Sequence, residues 1–138
     1  MARELTGGKG GFPPSVKFLK EGDKFAGKLT GVKESNNGFG PQYSFEVIGG
    51  TAFIGSPDGT KNDKGFNNYK EVDVTPGTVV SLGTSTGGQL ERSLSDAAID
   101  DIVGIIYNGK KLNPKSGRRY NDFKVFVLEE KEVEKWLS

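Results

Sequence analysis

The chain has neither cysteine nor histidine among its 138 residues. The absence of cysteine excludes a disulfide framework and is in keeping with a reducing compartment. Zinc ligation by Cys or His is excluded, and so is nucleophilic catalysis by a Cys–His or a Ser–His–Asp set. An enzyme of this composition would have to work with carboxylates, lysine or a bound hard metal ion. Together with the binding pattern of the two loops described below, these missing side chains predict a protein that is not an enzyme and that carries no cofactor.

Long apolar runs are missing as well. No stretch reaches the roughly 18 apolar residues of a transmembrane helix. The start of the chain, MARELTGGKGG, lacks the apolar segment of a signal peptide. These two absences predict a cytoplasmic protein with no membrane partner.

Glycine, in contrast, is abundant at 21 residues, and short strand-like runs lie between the glycines. This pattern predicts a single all-β domain. We expect a flexible N-terminal arm at 1–22, the domain at 23–128 with an insertion at 50–76, and a C-terminal helix or tail at 129–138. A frayed terminus is the favoured interpretation of the arm; the alternative is packing on a neighbouring subunit, which would make a homo-oligomer one of the partners. The tail is the alternative to a packed helix, and as a tail it would recruit other proteins.

The segment from Val103 to Leu128 predicts two strands joined by a basic loop. Between Tyr107 and Phe126 there are six Lys/Arg residues and one acid, Asp122, although the whole chain has a net charge of only +1. Tyrosine and phenylalanine are interleaved with these cations. Cations follow phosphates and aromatic faces accept bases, so the pattern favours single-stranded nucleic acid. The alternative is a solvated turn on an ordinary β-hairpin.

The order of the predicted elements suggests a fold. Strands at 23–34, 42–48 and 78–84 are followed by a helix of about three turns within 87–102, and then by the two strands of the basic hairpin. A helix between strands 3 and 4 of a five-stranded barrel is typical of the OB-fold, which binds oligonucleotides beside its 1–2 and 4–5 loops. Here those loops are 35–41, which carries Phe39, and 112–119. A short C-terminal helix completes the prediction.

Three segments carry a resemblance to a known family: EGDKFAGKLTGVKE at 21–34, YSFEV at 43–47 and IIYNGKK…KSGRRYNDFKVFV at 105–127. They resemble the OB-fold single-stranded-DNA-binding proteins of tailed bacteriophages, over about half of the chain. The resemblance implies DNA binding during phage replication or recombination in the host cytoplasm. It also implies DNA contacts by Tyr107, Lys110, Lys111, Arg119 and Tyr120. The insertion at 50–76 departs from the family pattern.

The predicted binding residues fall into two groups. The phosphate track consists of Lys110, Lys111, Lys115, Arg118 and Arg119, and the candidates for base stacking are Phe39, Tyr43, Tyr107 and Tyr120. Strand alternation places Tyr120 outside the core and Phe123, Val125 and Val127 inside it. Tyr107 shares the phase of Val103 and Ile105, so a core position is the alternative for its ring.

Two other functions compete with this prediction. Asp122 and Lys124 form an acid–x–lysine triplet of the kind found in Mg²⁺-dependent nucleases, with Glu46, Asp73 or Asp100 as candidate further ligands. A glycine-rich, all-β virion structural protein with a swapped arm also fits the composition. An acid–x–lysine triplet is common by chance and no spacing singles out a further acid, whereas the virion alternative gives no reason for the concentration of cations and aromatic residues on one hairpin.

Overall fold

A computed structural model describes residues 13–33, 41–84 and 88–138, and it confirms the all-β class. Eight strands and two short helices make up these residues, with a 3-10 turn at Glu130–Glu132. In chain order the elements are β1 Ser15–Lys17, β2 Lys24–Lys33, β3 Gln42–Gly50, β4 Phe53–Lys61, β5 Asn67–Glu71, β6 Val79–Gly83, α1 Gln89–Leu94, β7 Ile102–Leu112, β8 Arg119–Leu128 and α2 Val133–Leu137. No helix within the described ranges is long and apolar enough to cross a membrane.

The strands form one sheet that curls into a half-barrel, in the order β5-β4-β1-β6-β3-β2-β7-β8. Neighbouring strands are antiparallel, apart from the parallel pair β1–β6. In the sequence Phe25, Gly27, Leu29 and Gly31 share one phase and Val32 falls out of it, which predicts a bulge near Gly31. The register of β2 shifts between Leu29 and Gly31, which confirms that bulge. The bulge bends the long second strand, and such bends allow a sheet to curl.

The prediction of five strands is wrong in number. All five predicted segments are strands, namely β2, β3, β6, β7 and β8, but three more strands join them. Residues 15–17 of the expected flexible arm form β1, and the expected insertion forms the hairpin β4–β5. No helix lies between the third and fourth strands, since β3 ends at Gly50 and β4 begins at Phe53; α1 lies between β6 and β7.

The helix between β6 and β7 is shorter than predicted, with six residues instead of about three turns. Leu90 and Leu94, which establish the helical spacing, are both buried in the core. Beyond Leu94 the Asp101 carboxylate accepts a hydrogen bond from the Ala98 backbone N–H at 2.8 Å. Asp100 then adopts a φ of +78°, a left-handed conformation that interrupts a right-handed helix.

The core lies on the concave side of the curled sheet. Phe25 and Phe45 meet edge to face in it, with ring centroids 5.5 Å apart. On β3 the alternation predicted from the sequence is confirmed, because Tyr43, Phe45 and Val47 are all buried. The same alternation that confirms β3 as a strand therefore places Tyr43 in the core and not on a surface.

The hairpin β4–β5 projects its turn into solvent. Phe66, in that turn, is 64% exposed. At the end of β4 the hydroxyl and the backbone N–H of Thr60 both donate to Asp58, and these hydrogen bonds lower the pKa of the Asp58 carboxyl. The Lys17 ammonium on β1 lies 4.1 Å from the centre of the Tyr69 ring on β5. This contact ties the hairpin to the strand beside it.

The C-terminal segment packs on the sheet as a helix. Val133 is buried, and Trp136 and Leu137 pack so closely on Gly104 and Gly49 that a Cβ atom added to either glycine would lie 3.0 Å from the packed side chain. Lys24 Nζ donates to the Trp136 carbonyl oxygen at 2.8 Å. The apolar side of the segment is therefore used in packing, as expected for the helix and not for a free tail.

Candidate nucleic-acid interface

The basic loop is held in one shape by its own hydrogen bonds. Strands β7 and β8 pair as far as Leu112 and Arg119, and the Asn113 N–H then donates to the Arg118 carbonyl at 2.8 Å. The Asn113 side chain accepts from the Lys115 N–H at 2.9 Å. Gly117 supplies the positive φ, +71°, that closes the turn. The loop thus holds its cations at defined positions on the hairpin.

All five cations of the predicted phosphate track are exposed, namely Lys110, Lys111, Lys115, Arg118 and Arg119. The ion pairs formed between described residues are Lys28–Asp100 and Lys131–Glu129, so none of the five is neutralised by a carboxylate there. Their positive charge is available to an external anion.

A cleft of about 900 Å³ opens beside the root of the hairpin. One wall is the hairpin itself, with Arg118, Arg119 and Tyr120; the opposite wall consists of the end of β6 at Gly83 and the start of α1 at Gln89. Of the described residues that line the cleft, none is an aspartate or a glutamate. The cleft is therefore basic, and its lining includes an aromatic ring.

The two walls are joined by the side chain of Gln89. Its Oε1 accepts from the Phe123 backbone N–H at 2.7 Å, and its Nε2 donates to Asp122 Oδ1 at 3.1 Å. The amide thus occupies the outer edge of β8 as a neighbouring strand would. Sequence reasoning missed this residue, because a glutamine at the start of a short helix gives no signal of what it will contact.

Tyr120 is the exposed aromatic residue of the cleft. Its side chain is 44% exposed, which confirms the expectation that it lies outside the core. It pairs across the hairpin with Lys111, so the two side chains lie on the same face of the ribbon. An aromatic face beside a cation is the arrangement that a nucleotide uses, with its base on the ring and its phosphate on the ammonium.

Two of the other predicted stacking residues are buried. Tyr43 is 4% exposed and Tyr107 is 7% exposed, so neither ring offers a face to a base. The Tyr107 ring centroid lies 5.1 Å from that of Phe123, and its hydroxyl donates to Asn121 Oδ1 at 2.9 Å. The prediction of stacking is thus corrected for both tyrosines, and the core alternative holds for Tyr107. Phe39 lies outside the described residues.

Asp122, the acid of the predicted nuclease triplet, makes a structural hydrogen bond. Asp122 accepts the hydrogen bond from Gln89, which ties α1 to β8. Within the described part of the chain, no three Asp or Glu side chains are grouped so as to hold a metal ion. Glu46, Asp73 and Asp100 therefore do not assemble a metal site with Asp122 among these residues.

Searches of protein-family models, of curated proteins and of solved structures find no match for this chain. The functional argument accordingly depends on the geometry and charge of the cleft.

Proposed function

We propose that the protein binds single-stranded DNA with little sequence preference and performs no chemistry on it. The observation that carries the proposal is the basic cleft, whose described lining has no acid and whose wall exposes Tyr120 beside Arg118 and Arg119. Phage DNA replication or recombination in the host cytoplasm is the setting that the family resemblance implies, and it belongs to the same proposal.

The order of the strands supports an OB-like barrel as the fold that presents this cleft. Strands β6, β3, β2, β7 and β8 are neighbours in that order, which is the order 3-2-1-4-5 of the five strands predicted from the sequence. An OB-fold barrel closes by bringing its third and fifth strands together. Among the described residues β6 and β8 do not pair, and the cleft lies between their ends. Because β1 pairs with β6 at Ser81, the binding site in this proposal is the gap between the end of β6 at Gly83 and the end of β8 at Arg119 and Tyr120.

Weak sequence preference follows from the amide side chains that line the cleft. Gln89, Asn113 and Asn121 are the amide side chains of the described lining, and amides are among the groups that read base edges. The carbonyl oxygen of each accepts a hydrogen bond from the protein itself: from Phe123, from Lys115 and from Tyr107. Phosphate contacts by Lys and Arg and stacking on Tyr120 carry little sequence information.

The proposal is tested by titrating a fluorescent oligo-dT and following its anisotropy at several salt concentrations, with and without Mg²⁺. If about four cations meet phosphates, log K should fall with log[salt] at a slope of roughly −3, since each contact to a single strand contributes about −0.7. Replacing both Arg118 and Arg119 by alanine should make that slope less steep by about 1.4.

The matched control removes two cations at a distance from the cleft. Lys131→Ala with Lys135→Ala, in the C-terminal segment, makes the same change in net charge and should leave the slope unchanged. Binding that ignores salt would contradict the phosphate track. Degradation of the oligonucleotide that requires Mg²⁺ and disappears in Asp122→Ala would favour the nuclease instead.

A further inference from the structure

A second groove, of about 700 Å³, lies beside the C-terminal helix. Its walls come from β3, from the turn at Pro76, from the start of β7 and from α2. Apolar side chains form much of its lining, among them Ile48, Ile102, Val133 and Leu137. It is separate from the basic cleft, because the described linings of the two share no residue.

Carboxylates surround this apolar lining. Glu46, Asp100, Glu130 and Glu134 all contribute to it, against one lysine, Lys28. Lys28 Nζ is 3.8 Å from Asp100 Oδ1, so that pair is partly neutralised. Glu130 and Glu134 are exposed, and the ion pairs between described residues do not involve them. We define this surface as the acidic groove.

The tip of the basic hairpin has the complementary pattern. Leu112 is 61% exposed although it is a large apolar residue, and Pro114 follows it in the loop. Between Lys110 and Arg119 the sequence contains five cations and no acid. An apolar tip surrounded by positive charge matches an apolar lining surrounded by negative charge.

The hairpin cannot reach the acidic groove of its own chain. Ile102 lines the groove at the start of β7, and Leu112 lies at the other end of this 11-residue strand. At about 3.3 Å per residue the two positions are roughly 33 Å apart along the strand. Docking of the tip into the groove therefore requires a second molecule.

We propose that the basic hairpin of one copy docks into the acidic groove of a second copy, with Leu112 on the apolar lining and the cations against the carboxylates. The two surfaces differ and lie at opposite ends of β7, so the contact is heterologous and joins copies head to tail. The assembly needs no nucleic acid, and its strength should fall as salt screens the charges.

The test is a charge exchange followed by sedimentation velocity over a range of protein concentrations. The groove variant carries Glu130→Lys and Glu134→Lys, and the hairpin variant carries Arg118→Glu and Arg119→Glu. Each alone should self-associate more weakly than the wild type, because the groove lining becomes net positive in the first variant and the hairpin loop falls from five positive charges to a net charge of +1 in the second. Their equimolar mixture should associate, because the unaltered basic hairpin of the groove variant meets the unaltered acidic groove of the hairpin variant. Circular dichroism checks that both variants are folded.

The wild-type protein should increase in average mass with concentration at low ionic strength and return to the monomer at high ionic strength. Asp63→Lys, a reversal in the β4–β5 turn, is the control and should associate as the wild type does. A mixture of the two variants that stays monomeric would overturn the proposal, as would a wild-type protein that is monomeric throughout or dimeric regardless of salt.

This interface is distinguishable from the proposed DNA site. The groove variant keeps every residue of the basic cleft and should bind oligo-dT at low protein concentration as the wild type does. Loss of self-association with retained binding in this variant is the expected result, and retained self-association would overturn the docking proposal whatever the outcome for DNA.

Discussion

Replacing Tyr120 by alanine should weaken binding to a single strand and leave the fold stable, whereas replacing Phe123 should destabilise the fold. The two residues lie three positions apart on β8, so alternation places their side chains on opposite faces of the strand. Tyr120 is 44% exposed in the cleft wall. Phe123 is partly buried against the core. The centroid of its ring lies 5.3 Å from that of Phe18 and 5.1 Å from that of Tyr107.

These positions set the expected magnitudes. Loss of a stacked base should cost about 1–3 kcal/mol of binding free energy for Tyr120→Ala, which is roughly a 5- to 150-fold weaker affinity. Phe-to-Ala truncations in a core cost about 3–5 kcal/mol of stability. Since Phe123 keeps some exposure, its loss should fall near the lower end of that range. In a chain of this size that lowers the melting temperature by about 10 °C.

The assay combines thermal unfolding with oligo-dT anisotropy on the same preparations. Phe66→Ala is the matched control, because it removes an exposed aromatic ring from the β4–β5 turn and should change neither quantity. If Tyr120→Ala lowered the melting temperature as much as Phe123→Ala, the assignment of faces on β8 would be refuted. If it left both stability and affinity unchanged, single strands would not stack on Tyr120.

Two further predictions concern contacts that hold the fold together. Gln89→Ala should cost about 1–3 kcal/mol of unfolding free energy in denaturant titrations, because the Phe123 N–H loses its acceptor; unchanged hydrogen exchange at the Phe123 amide would contradict this. Lys24→Ala should loosen the C-terminal helix by removing the hydrogen bond to the Trp136 carbonyl. The emission of Trp136, the single tryptophan, should then shift to longer wavelength, and an unshifted spectrum would show that Lys24 does not hold the helix.

Local pattern was enough to predict the strands whose hydrophobic alternation is strong. The five predicted strand segments and the bulge in β2 depend on signals within a few neighbouring residues. The strands that were missed lack such signals. β1 has three residues, and β4 contains Pro57 and Gly59, which are typical of turns. β1 is a strand because the distant segments β4 and β6 pair with it, and β4 lies between β1 and β5; a short window of sequence does not report such tertiary pairing.

The same limit applies to the site. The cations of the hairpin could be predicted because a loop of like charges must be solvated. Strand alternation shows which residues share a face with a tyrosine, but it does not show which face the rest of the protein buries. Tyr43 and Tyr107 could therefore be assigned to the wrong face. Val127 shares the phase of Val125 and Phe123 and is nevertheless 60% exposed. The tertiary structure determines how far along a strand its core-facing side chains remain buried.

Strand β1 has a consequence for the order in which the protein folds. It is three residues long, yet in the described sheet it is the strand between β4 and β6, and the Ser81 N–H donates to the Pro14 carbonyl at 2.8 Å. Its pairings, Val16 with Ile54 and Ser15 with Ser81, close long loops of chain. Contacts of such wide sequence separation slow folding, because the entropy of loop closure is lost before the contact stabilises the fold. Until β1 is in place, β4 and β6 each have an unpaired edge, and a β1 from a second molecule would fit the gap between them. A pairing that slows folding would then also leave a gap open to exchange of this strand between molecules.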